Sequence, residues 1–344
     1  MSSPVDTLRR GWHLARTLVG FLRAKEVLGS PPTHLWLEPT SACNLKCIHC
    51  PTGTGSARPR GFMDFELARR LLDEAAAFRP LVYFHLGGES LLHPRLADMI
   101  HHASTAGMPT ALFTNGTLLD RARGEALIDA GLCWLGFSMD GLDRDSYERV
   151  RKGGKFERVV ENLFEFLRLK RERGSQTPYT YVSTVDLDGS ASSPAGADLA
   201  SRLRAAGLDH LEVVQPHTWA GLALSATQGP MGSQSGAAPP AGTQFHPPAR
   251  CPAPWSGLAI LWDGTAVPCC LDIEGRLPVG SVRELSLSQV WNGDPLRALR
   301  QAFASGRWEQ LPAICQACHI PRERTILGVP VKVLTELKEE WLGL

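Results

Sequence analysis

With 344 residues, 43% of them hydrophobic, the chain is long enough to bury one large domain and a small one. Its 36 basic and 35 acidic side chains nearly cancel to a net charge of +1, which excludes a strongly basic nucleic-acid binder and says nothing about the substrate. Nine cysteines, an odd number gathered into two groups, argue for metal in a reducing, cytoplasmic compartment rather than a secreted disulfide frame. No stretch reaches the roughly 18 unbroken apolar residues of a transmembrane segment.

The first predicted element fills most of residues 1–30. Leu8, Trp12, Ala15, Val19 and Leu22 recur at helical spacing, with Leu14, Leu18 and Phe21 beside them, so residues 5–25 are expected as an amphipathic helix. Arg9, Arg10, Arg16, Arg23 and Lys25 make it basic, a pattern that can lie on an anionic membrane. Capping the open end of a barrel is the use expected here. No long apolar core or cleavage site follows the arginines, so it does not read as a signal peptide.

From residue 31 to 219 short apolar runs alternate with helical patterns, as βαβ units of a parallel sheet require. Strands are predicted at 34–39, 81–86, 109–114, 134–139, 179–185 and 210–215. Helices are predicted at about 64–78, 94–106, 119–130, 155–173 and 195–206. After the first strand comes Cys43-Asn44-Leu45-Lys46-Cys47-Ile48-His49-Cys50. Three thiolates can ligate only three irons of a four-iron cluster and leave the fourth open to a ligand that is not protein. Zinc and disulfides are the alternatives. A closed zinc site would need a fourth ligand such as His49, and three free thiolates this close together would be prone to oxidation without a metal. His49 itself reads as a loop residue.

A Cys-x3-Cys-x2-Cys loop directly after an apolar strand resembles the signature of the radical S-adenosylmethionine (radical SAM) enzymes. The resemblance implies an α/β fold, a partial (β/α)6 barrel, whose first 4Fe-4S cluster sits on Cys43, Cys47 and Cys50 and binds SAM at its open iron. Chemistry in such parallel barrels gathers at the C-terminal strand ends, where the next motifs fall. Gly87-Gly88-Glu89 ends the second strand; paired glycines allow close backbone approach, and in the family this segment contacts the amino group of SAM. Thr114-Asn115-Gly116 and Ser138-Met139-Asp140-Gly141 end the third and fourth strands and resemble segments near the SAM ribose and substrate. For Asn115 and Asp140 ordinary turn chemistry is the alternative. Asp140 is also a candidate for accepting a substrate proton, and Arg151 stands where relatives carry an arginine near SAM, with a solvated charge run as its alternative. Cys133 reads as a core residue.

Residues 220–250, dense in Gly, Ala, Ser, Pro and Gln, are expected as a flexible linker or lid. His217, just before them, is a candidate substrate contact. The second cysteine group follows within 251–344: Cys251, Cys269 and Cys270, then Cys315-Gln316-Ala317-Cys318. Asp263-Gly264 is a hairpin signal that draws Cys251 and Cys269 together. The layout, with Val290-Trp291-Asn292 and Arg297–Arg300 between, resembles the small auxiliary-cluster extension called SPASM, in its single-cluster twitch form, ahead of a C-terminal helix. That resemblance assigns a second, auxiliary 4Fe-4S cluster to Cys251, Cys269, Cys315 and Cys318 and leaves Cys270 spare; a four-cysteine zinc knuckle is the alternative.

Two substrate classes remain open from the sequence. One is a peptide or protein, modified by a maturase in a net oxidation. The other is a small molecule, a sugar or aminocyclitol alcohol oxidised by a dehydrogenase. A non-catalytic electron-transfer protein would leave Gly87-Gly88-Glu89 unexplained. Either reaction implies a flavodoxin- or ferredoxin-type reductant, and no nucleic acid.

Overall fold

A computed structural model describes residues 4–56, 58–185, 193–214, 250–318, 320, 325–326 and 329–330. His217, most of the 220–250 segment and the C-terminal helix expected after 330 lie outside the described residues. In chain order the elements are α1 (Pro4–Leu22), β1 (His34–Leu37), β2 (Lys46–Cys47), α2 (Pro51–Thr54), α3 (Phe65–Ala75), β3 (Leu81–Tyr83), α4 (Leu96–Thr105), β4 (Thr110–Thr114), α5 (Arg121–Asp129) and β5 (Trp134–Ser138). They continue with α6 (Arg144–Val150), β6 (Arg151–Lys152), α7 (Phe156–Glu172), β7 (Tyr179–Val185), α8 (Pro194–Ala205) and β8 (His210–Val214). After these come α9 (Ala253–Ser256), β9 (Gly257–Ile260), β10 (Thr265–Val267), β11 (Gly280–Ser281), α10 (Leu287–Trp291), α11 (Asp294–Ala304) and α12 (Ala313–Gln316).

One compact unit comprises residues 36–217 and 260–264. Its strands run in the order β1-β3-β4-β5-β7-β8, and the ladders from β3 through β8 are parallel. The helices between them bury apolar stripes, such as Leu67, Leu71 and Leu72 of α3 and Leu163, Phe166 and Leu167 of α7. Four of the starts are fixed by a short polar side chain, whereas α4 and α7 begin without one. Asp64, Asp120, Asp143 and Ser193 accept hydrogen bonds from backbone N–H groups of α3, α5, α6 and α8. Along β7 the alternation is strict, with Thr180, Val182 and Thr184 buried and Tyr181, Ser183 and Val185 half-buried.

The other unit comprises residues 1–35, 218–259 and 265–344. The N-terminal segment is therefore part of the same unit as the cysteine-rich C-terminal region. Trp255 Nε1 donates to the Lys25 carbonyl, Trp291 Nε1 to that of Ser30, and the Asn292 amide both donates to and accepts from the backbone of Leu28. Arg300, fully buried, donates to the carbonyls of Glu26, Pro254 and Trp291 and lies over the Trp291 ring.

In α1 the structure reverses the expected face. Thr17, Gly20 and Phe21 are buried, Phe21 edge-on to Trp255, whereas Trp12, Val19 and Leu22 of the predicted stripe are exposed. The apolar stripe spans more of the helix than one packing partner covers, and the small Gly20 allows the closer approach, with Leu28 against it. Because Arg300 fills its bonds with three backbone carbonyls, Arg300→Met should leave those acceptors unpaired and cost about 3 kcal/mol or more. Urea unfolding under argon should show a lower midpoint at unchanged slope.

Candidate functional site

The loop carrying Cys43, Cys47 and Cys50 is held from three sides. Behind it, β2 pairs antiparallel with β6, Lys46 opposite Lys152 and Cys47 opposite Arg151, and the Ile48 N–H donates to the Val150 carbonyl. After it, Gly53 lies so close that an added Cβ would stand 2.6 Å from the Cys47 carbonyl oxygen and 2.7 Å from its nitrogen. In front runs the turn Gly87-Gly88-Glu89. A Cβ on Gly88 would collide with the carbonyl oxygens of Thr40 and Ala42, 2.5 Å from the latter, and the Glu89 N–H donates to Ala42 at 2.9 Å. Thr52 donates its hydroxyl to the Gly87 carbonyl.

Burial pushes the Cys43 thiol up and the Cys47 thiol up to about 12. Without a metal both thiols therefore stay protonated, and a bound metal would replace those protons.

Glu89 is 2% exposed. One carboxylate oxygen accepts from the Leu91 N–H and the Thr114 hydroxyl, the other from the Asn115 N–H at 2.7 Å. Burial raises its pKa against those bonds and the nearby Arg151 charge. Three of about four acceptor positions are filled, which leaves capacity for one further donor such as an ammonium. Asn115 extends towards the cysteine loop: its amide donates to Asn44 Oδ1 at 2.9 Å and lies 3.9 Å from Cys43 Sγ. The turn chemistry is present too, through the Thr117 N–H and hydroxyl on Asn115 Oδ1.

Asp140 and Arg151 form a buried ion pair at 2.8 Å, with His49 Nε2 3.4 Å from the same carboxylate oxygen. Desolvation alone would pull the Arg151 pKa down, but Asp140 and the neighbouring thiols raise it. Arg151 is thus no solvated charge. Asp140 already faces a cation, so no proton-accepting role is proposed for it. Ser138 ends β5 half-buried, in register with Ser183. Cys133 is half-buried, its thiol 3.8 Å from the Gly131 carbonyl.

Two residues had gone unremarked in the sequence. Glu38, fully buried, pairs with Arg58 at 2.5 Å and accepts from the N–H groups of Gly87 and Trp262, so it anchors the glycine turn. His85 stands in a ring series Tyr83–His85–Phe113–Tyr181. Burial lowers its pKa to about 3, which keeps the imidazole neutral. Glu38 falls on the half-buried side of the β1 alternation, so its burial comes from its partners and not from the strand pattern; a lone carboxylate inside the predicted strand 34–39 was the signal that could have flagged it.

In the other unit, Cys251, Cys269, Cys315 and Cys318 line one cavity whose remaining wall includes Pro254, Leu299 and Phe303. Burial pushes Cys251 well up and Cys315 up to about 12, while the Cys270 thiol donating to Cys269 lowers the latter. Asp272, 1% exposed, shapes this loop by accepting from the N–H groups of Arg276 and Leu277. Among the described residues, no group of three or more His, Cys, Asp or Glu side chains is placed to hold a single metal ion.

The profile of the Radical SAM superfamily matches residues 37–186, and that of an iron-sulfur cluster-binding domain, SPASM, matches residues 251–319. Residues 37–186 form a radical SAM domain and residues 251–319 a SPASM domain. These domains imply a 4Fe-4S cluster with SAM and an auxiliary iron-sulfur site. An AdoMet-dependent heme synthase of Methanosarcina barkeri is 34% identical over 37% of the chain and 36% of the relative, so the chain spans little more than a third of that protein. A PqqA peptide cyclase of Rhizobium meliloti is 27% identical over 91% of the chain and 84% of the relative. The structure of Streptococcus suis SuiB bound to precursor peptide SuiA superposes with a TM-score of 0.61 at 16% identity, over 87% of this chain and 72% of that one. No helix among the described residues is long and apolar enough to cross a membrane.

Replacing Gly88 by Ala must push the turn off the cysteine loop. The variant should lose at least about tenfold in SAM affinity, because the displaced Glu89 no longer meets its donors. Equilibrium binding to the anaerobically reconstituted protein tests this, and unchanged affinity would contradict the close-approach argument.

Proposed function

We propose that this chain is a radical SAM maturase that carries out a net oxidative modification of a peptide or protein. The observation that carries the reading is the alignment with PqqA peptide cyclases through both domains, over 84% to 91% of the chain. Cys43, Cys47 and Cys50 would hold the first 4Fe-4S cluster, and Cys251, Cys269, Cys315 and Cys318 the auxiliary one. The thiol sets fit such groups: the first packs three donors into one short loop and the second lines a cavity with Pro254, Leu299 and Phe303, and thiols ionise on binding iron. Gly87, Gly88 and Glu89 would bind the SAM amino group, Asn115 and Ser138 would face the ribose side, and Arg151 would act from behind the cysteine loop.

When bound, the first cluster and SAM supply one-electron reductive cleavage to methionine and a 5'-deoxyadenosyl radical, which removes a hydrogen atom from the substrate. The chain's part is placement. Glu89 offers its remaining acceptor position to an ammonium, the Gly88 crossing fixes its distance from Cys43, and the ring series from Tyr83 to Tyr181 packs edge to face beside the strand ends. Net oxidation needs an outlet for a second electron, and the four-thiol cavity provides a place for it. A flavodoxin- or ferredoxin-type reductant and a cytoplasmic setting accord with these thiols.

The single auxiliary cysteine set also suits a small-molecule dehydrogenase acting on a sugar or aminocyclitol alcohol. A short precursor reading frame beside the gene would favour the peptide, and turnover of an alcohol without any peptide would favour the dehydrogenase.

Cys43→Ala, Cys47→Ala or Cys50→Ala should abolish 5'-deoxyadenosine formation, and the triple variant should retain about four of about eight irons. Cys315→Ala with Cys318→Ala should retain some SAM cleavage but suppress product. Full cleavage by the triple variant, or one zinc without iron-sulfur absorbance in it, would overturn the corresponding cluster.

A further inference from the structure

Arg151, Asp140 and His49 form a charged group that the proposed chemistry does not use directly. Arg151 lies opposite Cys47 in the β2–β6 ladder, and its side chain is 8% exposed. Its Nη2 stands 2.8 Å from Asp140 Oδ2, yet that oxygen makes no aligned hydrogen bond among the described residues, and neither do Arg151 Nε and His49 Nδ1. The contact is therefore mainly Coulombic.

A buried ion pair is a poor device for stability, since well-packed apolar groups do as well or better. Its position behind a thiol set suggests another use. Arg151 pairs with Cys47 across the two-residue ladder and Asp140 stands 2.8 Å from its guanidinium, so a cation and an anion are both fixed beside the thiol loop. A four-iron cluster bound by three thiolates gains one negative charge when it accepts one electron, with no proton required. A fixed cation beside it favours that state and a fixed anion opposes it.

We propose that Arg151 and Asp140 are a buried charge pair that sets the reduction potential of the cluster on Cys43, Cys47 and Cys50, Arg151 favouring the reduced form and Asp140 restraining it. This rests on those thiols holding the cluster. The electron comes from the low-potential reductant, of flavodoxin or ferredoxin class, and the pair fixes how far that transfer runs. Both residues are positioning residues, since they act through the cysteine loop.

The test is an anaerobic redox titration of the reconstituted full chain, following the electron paramagnetic resonance signal that SAM perturbs. Arg151→Gln should lower the reduced-to-oxidised ratio at fixed poise on the order of tenfold, and Asp140→Asn should raise it by a similar factor. Arg151→Lys, which keeps the charge, should stay within about threefold of the parent. Shifts of the same sign in the Gln and Asn variants, or changes under about twofold in both, overturn the proposal, because a merely structural pair would not split by charge. If Arg151→Gln fails to take up iron, Asp140→Asn decides alone: a rise supports the pair's role, and no change or a fall overturns it. Iron content separates the two readings, since a parent chain whose iron is unaffected by the triple cysteine variant refutes the cluster and not the charge pair.

Discussion

The site depends on one close backbone crossing. At Gly88 the end of β3 passes so near the carbonyls of Thr40 and Ala42 that no side chain fits between them. Because the Glu89 N–H then reaches Ala42, the carboxylate that follows stands at a fixed offset from the first cysteine. Glu38 supports the same crossing from below by accepting the Gly87 N–H while paired with Arg58. Thr114, Asn115 and the cysteine loop are all tied to this arrangement through Glu89 and Asn44. A shift of an ångström at Gly88 would therefore reach every group around the thiols.

Buried charge is the second constraint. Glu38, Glu89, Asp140 and Arg151 all sit out of water within the same unit, and each is satisfied differently. Glu38 has a cation and two amides, Glu89 has three neutral donors, and Asp140 has a guanidinium in Coulombic contact. Desolvation of this kind costs free energy that a simple fold would avoid. Such groups persist where a bound charge makes use of them, which is why their clustering around three thiols points to a charged cofactor site.

Much of this was legible in the sequence because the relevant signals are periodic or local. The six expected strands, five of them in the parallel ladders, and the five expected helices follow from runs of apolar residues, and they fall within a few residues of the expected bounds. Cysteine spacing and the Gly-Gly dipeptide mark the loop and the crossing without any long-range information. What escaped was long-range pairing. The two-residue ladder between Cys47 and Arg151 is too short to carry a period, so the sequence left a solvated charge run open as the alternative for Arg151, which is buried. The face of α1 was misjudged because apolar residues at helical spacing define a stripe but not its partner, and the N-terminal segment instead meets Trp255, Trp291, Asn292 and Arg300. Of the resemblance's C-terminal landmarks, Trp291, Asn292 and Arg300 serve to hold that segment.

The SPASM thiol cavity and the radical SAM thiol loop lie in two units of one chain. The central claim is that the three-cysteine set leaves a metal position open to SAM. Electron-nuclear double resonance on the reduced, reconstituted protein with 15N-labelled SAM tests it most directly. A nitrogen coupling from the SAM amino group to the reduced cluster is predicted. A reduced cluster with full iron content and bound SAM but no such coupling would contradict the account.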